Sequence, residues 1–461
     1  MMFNRSTLAL ATLLMAPPAL IAPAAAQTLQ ESLALAYANN PTLQAARAQL
    51  RAVDENVPQA LAGWRPTVQV AGSVGTAQGR STNTASGGRA SVDRDTSSIQ
   101  ASVTQPLYRG GRTTASTRRA ENQVLAQRAR LLATEQQVLS DTVNAYVAVI
   151  RDQEEVRLNI NNEQVLTRQL QATNERFRVG EITRTDVAQA ESRLAGTRAS
   201  RADAEGRLQQ SRATFARLVG QPPQRLIAPQ PLRVPLANAA EAGTLAGQNN
   251  PNVVAALFDE AAARDLVDVN FSSLLPQVSL NGSTFRNDNS TTPDTRSTGS
   301  QVTANLTVPL YQGGAEYSQV RQARQTAQQA RQVVNDQRRA ANQQATSAWE
   351  TLTAARAQVE SVRAQIRAAE IALDGVQREA VVGSRTTLDV LNAEQELLNA
   401  RVSLVRALAN VITASHSLAA SVGRLTARDL NLPVQIYDME AYYREVRNRW
   451  VGFGDYAEQG R

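Results

Sequence analysis

Cysteine is absent from the 461 residues, which excludes disulfide staples, zinc–thiolate sites and thiol nucleophiles. Histidine occurs once, as His416, too little for a histidine-built metal site or a catalytic triad. It stands mid-helix among Ser, Ala and Leu and reads as a packed or lumen-facing side chain. Lysine is missing too, so all 48 basic residues are Arg. The net charge of +7 raises the possibility of nucleic acid, yet the arginines are dispersed among Gln, Glu and Ala with no dense basic block. They read as a solvated helix surface, and no nucleic-acid partner is expected. Gly-rich phosphate loops, metal-ligand spacings and nucleophile elbows are lacking, so neither an enzyme nor a cofactor is expected. After the N-terminus no stretch approaches about 18 unbroken apolar residues, and no transmembrane helix is expected.

The N-terminus carries the marks of a secretory leader. Arg5 is the positive region, Leu8 to Ile21 the apolar region, and Ala24-Ala25-Ala26 a small-residue cleavage site. A membrane anchor would be interrupted by Pro17, Pro18 and Pro23. The expected leader is residues 1–26, with Gln27 first in the mature chain. An exported chain without a helical anchor is either soluble or a β-barrel.

The chain repeats itself. Gln105-Pro106-Leu107-Tyr108-Arg109-Gly110-Gly111 returns as Val308-Pro309-Leu310-Tyr311-Gln312-Gly313-Gly314. Asn39-Asn40-Pro41 returns as Asn249-Asn250-Pro251, Val179-Gly180 as Val382-Gly383, and Val219-Gly220 as Val422-Gly423. Proline suits a strand end and paired glycines allow a sharp turn, so each junction predicts a strand passing into a helix. The expected first repeat is 27–220, with strands about 66–75 and 97–106, a long helix 112–178 and a tip 179–186. The second is 248–430, with strands about 276–285 and 299–309, a long helix 315–379 and a tip 380–389. A Pro-rich linker, 221–247, joins them, and an aromatic tail, 431–461, follows.

The strands alternate. Val68, Val70 and Val74 oppose Thr67, Gln69 and Ser73, and Val302, Ala304 and Leu306 oppose Gln301, Thr303 and Asn305. A half-buried soluble sheet would alternate in the same way. Trp64, Tyr108 and Tyr311 at one end, and the polar loops Thr76 to Thr96 and Arg286 to Thr298 at the other, favour a membrane. Four strands cannot close a barrel, and open edges are intolerable in lipid, so the chain must oligomerise. Two copies give eight strands and a filled interior; three give twelve and room for a pore.

Arg112 to Arg178 contains neither Pro nor Gly, and Ala315 to Glu379 only Gly375. Some 65 residues at a rise of about 1.5 Å make a rod of roughly 100 Å. Leu352, Val359, Ile366 and Leu373 recur every seven residues, interleaved with Ala341, Ala348, Ala355 and Val362, which predicts a coiled-coil seam. The last helix shows two seams, through Leu391, Leu398 and Val405 and through Leu397, Leu404 and Val411, and so predicts neighbours on both flanks. At the hairpin tips Gly180 and Gly383 suit helix ends, with Thr185 and Thr387, or Thr386, as caps of the returning helices.

These repeats, junctions and tips resemble the TolC-like outer-membrane efflux channel family over essentially the whole mature chain. The resemblance implies a mainly α fold with membrane β-structure. In it a trimeric twelve-stranded outer-membrane barrel continues into a periplasmic α-helical barrel, within the outer membrane of a Gram-negative bacterium. It implies as partners a periplasmic adaptor, an inner-membrane ABC or RND-type pump, outer-membrane lipid and two further copies of the chain. By position, Arg385 matches the family's gate arginine, and Thr185 and Asp186 its partners on the other tip. Asp389 and Asn392 fall at the constriction positions. Val179, Gly180, Glu181, Val382, Gly383 and Ser384 fall at the adaptor-docking tips, and Trp64, Tyr108 and Tyr311 at the membrane interface. Ala380 stands where a gate tyrosine occurs in the family. Arg385 and Asp389 are also spaced for a local pair on one helix. The tail from Ile436 to Gly452 resembles outer-membrane components of type I protein secretion; small-molecule efflux remains the rival cargo, and a periplasmic adaptor or surface fibre the rival class.

Overall fold

The structure, a computed structural model, describes residues 26–82, 88–290 and 294–454. The expected leader lies outside them but for Ala26, as does Tyr456 of the tail. The first repeat runs α1 (Leu29–Asn39), α2 (Pro41–Asp54), α3 (Asn56–Leu61), a 3-10 turn (Ala62–Trp64), β1 (Thr67–Thr82), β2 (Arg89–Arg109), α4 (Arg112–Arg178) and α5 (Arg184–Val219). The second runs α6 (Ala239–Asn249), α7 (Pro251–Phe271), a 3-10 turn (Ser272–Leu274), β3 (Gln277–Asp288), β4 (Arg296–Thr307), α8 (Ala315–Val381) and α9 (Thr387–Ser421). A short α10 (Ala441–Val446) lies in the tail.

Proline explains where the halves differ. The ring of Pro58 would collide with the carbonyl four residues back, that of Asp54, and α2 ends there. The matching part of α7 has no proline and continues unbroken for 21 residues. Both long helices run 67 residues, free of proline, and start after glycines in the left-handed region, Gly111 at φ 78° and Gly314 at φ 85°.

Several boundaries differ from the sequence expectation. β1 and β2 pair from Thr67↔Thr104 out to Thr82↔Arg89, so most of the expected Thr76 to Thr96 loop is a paired ribbon. β-sheet pairing needs only backbone groups, and small residues such as Gly75, Ala77 and Gly79 do not obstruct it. β3 runs to Asp288, past the expected end at 285, and β4 stops at Thr307, short of the expected 309, opposite Gln277, the first residue of β3. β2 instead runs through Pro106 to Arg109, past its expected end at 106. Residues 239–247 of the expected linker are helical, with Asn238 as the cap whose side chain accepts from the Glu241 N–H. α8 reaches Val381, two residues beyond its expected end.

The repeated Asn-Asn-Pro acquires a physical reason. The Asn40 side chain accepts from the Thr42 N–H (2.9 Å) and donates to the Leu218 carbonyl (3.1 Å) at the end of α5. Asn250 does the same with the Asn252 N–H (3.0 Å) and the Ser421 carbonyl (3.1 Å) at the end of α9. One buried amide thus caps a helix, with proline at its first position, and ties it to the hairpin's return end. Asn40→Ala removes a cap and a buried hydrogen bond and is expected to lower unfolding stability by about 2 kcal/mol, read from denaturant melts.

α9 packs on both flanks, as its two seams predict. Ala407, Val411, Ala414 and Leu418 join Leu352 and Val359 of α8 in one buried cluster. Ala409 and Ala419 join Leu139, Val143 and Val147 of α4 in another. The expectation that no helix is long and apolar enough to cross a membrane meets an exception here. α9 passes that test by composition, because Ser, Thr and His interrupt its apolar run without charge, but it is a packed helix of the bundle.

The tail lies along the first repeat. The Tyr442 hydroxyl donates to Glu55 (2.7 Å), Arg447 donates to Glu121 (2.8 Å), and Glu440 pairs with Arg128 (3.0 Å). Arg65 stacks on Trp450 with its guanidinium carbon 5.0 Å from the ring centroid.

Candidate functional site

The four strands form one antiparallel sheet in the order β1-β2-β3-β4. Register gives the sheet its chemistry. Val68 lies opposite Val103, Val103 opposite Gly282 and Gly282 opposite Val302, so one rung is apolar or bare across all four strands. Val70 faces Ala101, Leu280 faces Ala304, and Val278 faces Leu306, all on the same face. The other face carries Gln69 against Ser102, Thr104 against Asn281, and Asn281 against Thr303. A one-residue slip would mix the two sets, so the pattern pins the register. The apolar face is bare within the chain: Val74 is 88% exposed and Val302 74%. A face of exposed valines beside a face of hydroxyls and amides fits lipid on one side and water on the other.

Two ends bound this band. At the far end Asp288 accepts from Arg286 (3.1 Å) and Arg296 (2.6 Å), and Gln78 donates to Asp93 (3.3 Å). At the helix end stand Trp64, Tyr108 and Tyr311, all exposed. Here β2 passes through a bulge between Pro106 and Tyr108 into Gly110 and Gly111. Gly110 has φ +62°, and a Cβ on it would lie 2.5 Å from the Ser272 carbonyl oxygen, so this turn admits only glycine.

At the other end of the helices each tip closes in one way. The Gly180 and Glu181 N–H groups donate to the Phe177 and Arg176 carbonyls, and those of Gly383 and Ser384 to the Ala380 and Glu379 carbonyls. These are Schellman turns, with both glycines at φ +79°. The returning helices are capped by Thr183 and Thr386, each in a reciprocal box with the aspartate three residues on. Thr387, and Thr185 in the first tip, therefore lie one and two residues inside their helices, and the expected caps there are corrected. The Asp with which to form the box decides the cap, and it lies three residues after Thr183 and Thr386.

Asp186 and Asp389, singled out for gate and constriction, thus each hold a cap through one carboxylate oxygen, at 2.7 Å from the Thr183 hydroxyl and 2.8 Å from that of Thr386. The Thr386 N–H, then its hydroxyl, hold the Asp389 carboxyl below the usual range. Arg385 takes neither Asp389 nor the other tip as its hydrogen-bond partner. Its Nε donates to Glu379 of its own hairpin at 2.8 Å. Tip one carries the reverse pair, Arg176 on the helix and Glu181 on the loop, at 2.5 Å. The two tips therefore present loop charges of opposite sign. Val179 and Val382 are both exposed beside them.

Sequence reasoning missed the links between the hairpins. Arg193 of α5 donates to the Asn392 side chain of α9 (2.9 Å), joining the two tips. Deeper in the wall, buried Glu155 of α4 accepts from Arg406 of α9 (2.7 and 3.2 Å) and Arg207 of α5 (3.1 Å). Burial alone would raise the Glu155 carboxyl, but Arg406, Arg207 and Arg151 outweigh it and hold it low. The buried stripe around Glu155 also carries Asp152, Asn159 and Asn162, so no break in an apolar pattern marks it, and only the fold brings its arginines together. His416 is buried with Nδ1 2.8 Å from the Ile412 carbonyl, and burial lowers its pKa, so it is a packed neutral side chain.

Known proteins agree with this layout. The model of the outer membrane efflux protein family matches residues 32–221 and 243–424, one block per repeat. Outer membrane efflux protein BepC of Brucella suis is 35% identical over 430 residues, covering 93% of this chain and 92% of that protein. The alkaline protease secretion protein AprF of Pseudomonas aeruginosa is 26% identical over 408 residues, covering 86% of this chain and 85% of its own. The Campylobacter jejuni CmeC outer membrane channel has the same fold, with a TM-score of 0.78 over 91% of this chain and 89% of that one at 16% identity. The CusC structure superposes with a TM-score of 0.75, over 86% of this chain and 91% of its own, at 16% identity. With both repeats matched, this chain belongs to the outer membrane efflux protein family and is a channel, not an enzyme.

Proposed function

We propose that the chain is the exit duct of a type I protein secretion system: three copies close a barrel in the outer membrane, and their helices form the tunnel below it. The observation that carries the duct is the sheet, amphipathic across four strands and open at β1 and β4. Because each copy brings an even number of strands, β4 of one copy meets β1 of the next antiparallel, and the ring closes with no unsatisfied edge. Three copies give twelve strands, enough for a water-filled lumen lined by the Gln, Ser, Thr and Asn face. A periplasmic adaptor docks at the tips around Val179, Gly180, Glu181, Val382, Gly383 and Ser384 and links the duct to an inner-membrane pump. The protein-secretion reading is supported by the relative named for alkaline protease secretion. A relative named an efflux protein, at 35% identity, favours small-molecule efflux as the second reading.

In the closed ring, tips one and two alternate, so loop Arg385 stands beside a tip bearing Glu181, Thr185 and Asp186. We assign Arg385 as the gate residue that trades Glu379 for that neighbour on assembly; Arg–carboxylate pairs are strong yet exchangeable. Single-channel conductance in planar bilayers tests the duct and the gate together. A small wild-type conductance that rises several-fold in Arg385→Ser is expected. No conductance from folded, inserted protein overturns the duct, and an unchanged value overturns the gate. Deleting the gene then separates the cargoes: loss of a secreted polypeptide from the medium supports protein secretion, whereas drug sensitivity alone supports efflux.

A further inference from the structure

Gln27 is the residue that cleavage after Ala26 would leave first, and its surroundings are built. The backbone N–H donates to the Arg225 carbonyl at 2.8 Å, and the Gln27 carbonyl accepts from the Ile227 N–H at 3.2 Å. The Tyr146 hydroxyl lies 2.9 Å from the same Gln27 carbonyl. These bonds make a parallel bridge between Gln27 and Leu226, which seats Gln27 on the linker. The side chain is enclosed as well: the residue is 5% exposed, and Oε1 accepts from the Gln224 N–H at 3.3 Å. The amide nitrogen, Nε2, is buried and has no hydrogen-bond partner. Exchanging the amide's O and N does not help, because Nε2 would then face the Gln224 N–H, donor against donor, and Oε1 would be orphaned.

We propose that Gln27 becomes the N-terminal residue and closes on itself to pyroglutamate, a modification that removes the one side-chain atom of this seat that has no partner. The α-amine nitrogen attacks the side-chain carbonyl carbon Cδ and forms the N–Cδ bond. The Cδ–Nε2 bond breaks, a proton from the amine passes to the departing nitrogen, and ammonia leaves. No oxidant, reductant or co-reactant is needed. The lactam keeps one N–H, which the Arg225 carbonyl accepts, and keeps the Cδ carbonyl, which the Gln224 N–H reaches. The atom expelled is the one that had no partner. The cyclised end is neutral and offers no free amine to an aminopeptidase.

Cleavage after Ala26 is the condition for this step, and one measurement reads both. The full-length precursor is exported by its own leader, the protein is purified from membranes at neutral pH, and the N-terminal peptide is sequenced by tandem mass spectrometry. The expected form begins at residue 27, is lighter by one ammonia than the unmodified peptide, and is blocked to Edman degradation. A free α-amine on Gln27 overturns cyclisation, and a start at any other residue overturns the cleavage on which it depends; the masses tell the two apart. A synthetic peptide beginning with Gln27 is carried through the same handling, and equal cyclisation of that control also overturns the proposal. Gln27→Asn keeps the amide but cannot close a five-membered ring, so its Edman reading is expected to return, beginning with the substituted residue.

Discussion

Gly110→Ala is expected to remove most of the folded protein from the outer membrane. A left-handed φ costs a non-glycine residue about 1–2 kcal/mol. The added Cβ would also lie 2.5 Å from the Ser272 carbonyl oxygen and 2.8 Å from the Leu275 Cβ, and neither the backbone nor a Cβ can step aside. Together these predict a loss of about 3–5 kcal/mol, a large fraction of a typical domain's stability. Gly313 is its counterpart in the second repeat, with φ +72° and nothing within 4 Å of an added Cβ. Within one chain Gly313→Ala therefore costs only the backbone term. If the proposed ring repeats between copies the contact made within the chain, the turn before β1 of the next copy takes the place that Ser272 and Leu275 hold over Gly110. Gly313→Ala is then expected to approach Gly110→Ala in severity, measured as heat-stable oligomer recovered from membranes. Recovery near the wild-type level would contradict that arrangement of copies.

The second large effect concerns Asp54, 1% exposed, with Oδ1 unpartnered. Burial pushes its carboxyl up to about 7, against a smaller opposing pull from Arg128. A raised carboxyl binds its proton more tightly in the folded state. Its stabilising effect is complete below the unfolded value of 3.8 and is lost as pH rises towards 7. Asp54→Asn removes that dependence. The variant is expected to match the wild type near pH 4 and to exceed it by about 2–4 kcal/mol above pH 7, since each tenfold gain in proton affinity on folding is worth roughly 1.4 kcal/mol. Thermal unfolding of both proteins across this range is the measurement. A constant difference would show that the Asp54 carboxylate is already ionised in the folded protein.

Much of this architecture was legible because it is periodic. The heptad of Leu352 and Val359 and the twin seams of α9 report buried faces by spacing alone. The alternation of Val68 to Val74 reports a two-faced strand whose apolar side is bare within the chain, and the repeated Pro-Leu-Tyr junction joins strand to helix. Strand ends were less legible: nothing in Gly75, Ala77 and Gly79 reports that their backbones pair. In the second tip the cap is Thr386, the alternative to Thr387, whereas in the first tip the expected Thr185 gives way to Thr183, because the reciprocal bond to Asp389 or Asp186 selects the Thr three residues before it. The links Arg193–Asn392 and Glu155–Arg406 join residues 199 and 251 positions apart, which no local pattern encodes.

The open edges of the sheet also set the molecularity of folding. If β1 and β4 find their partners only in other copies, the membrane part of one chain has no satisfied state of its own. Insertion and association are then coupled, and three chains enter one equilibrium. Apparent stability becomes a function of chain concentration, as for any obligate assembly. A melting temperature for this protein carries meaning only beside the protomer concentration at which it was taken.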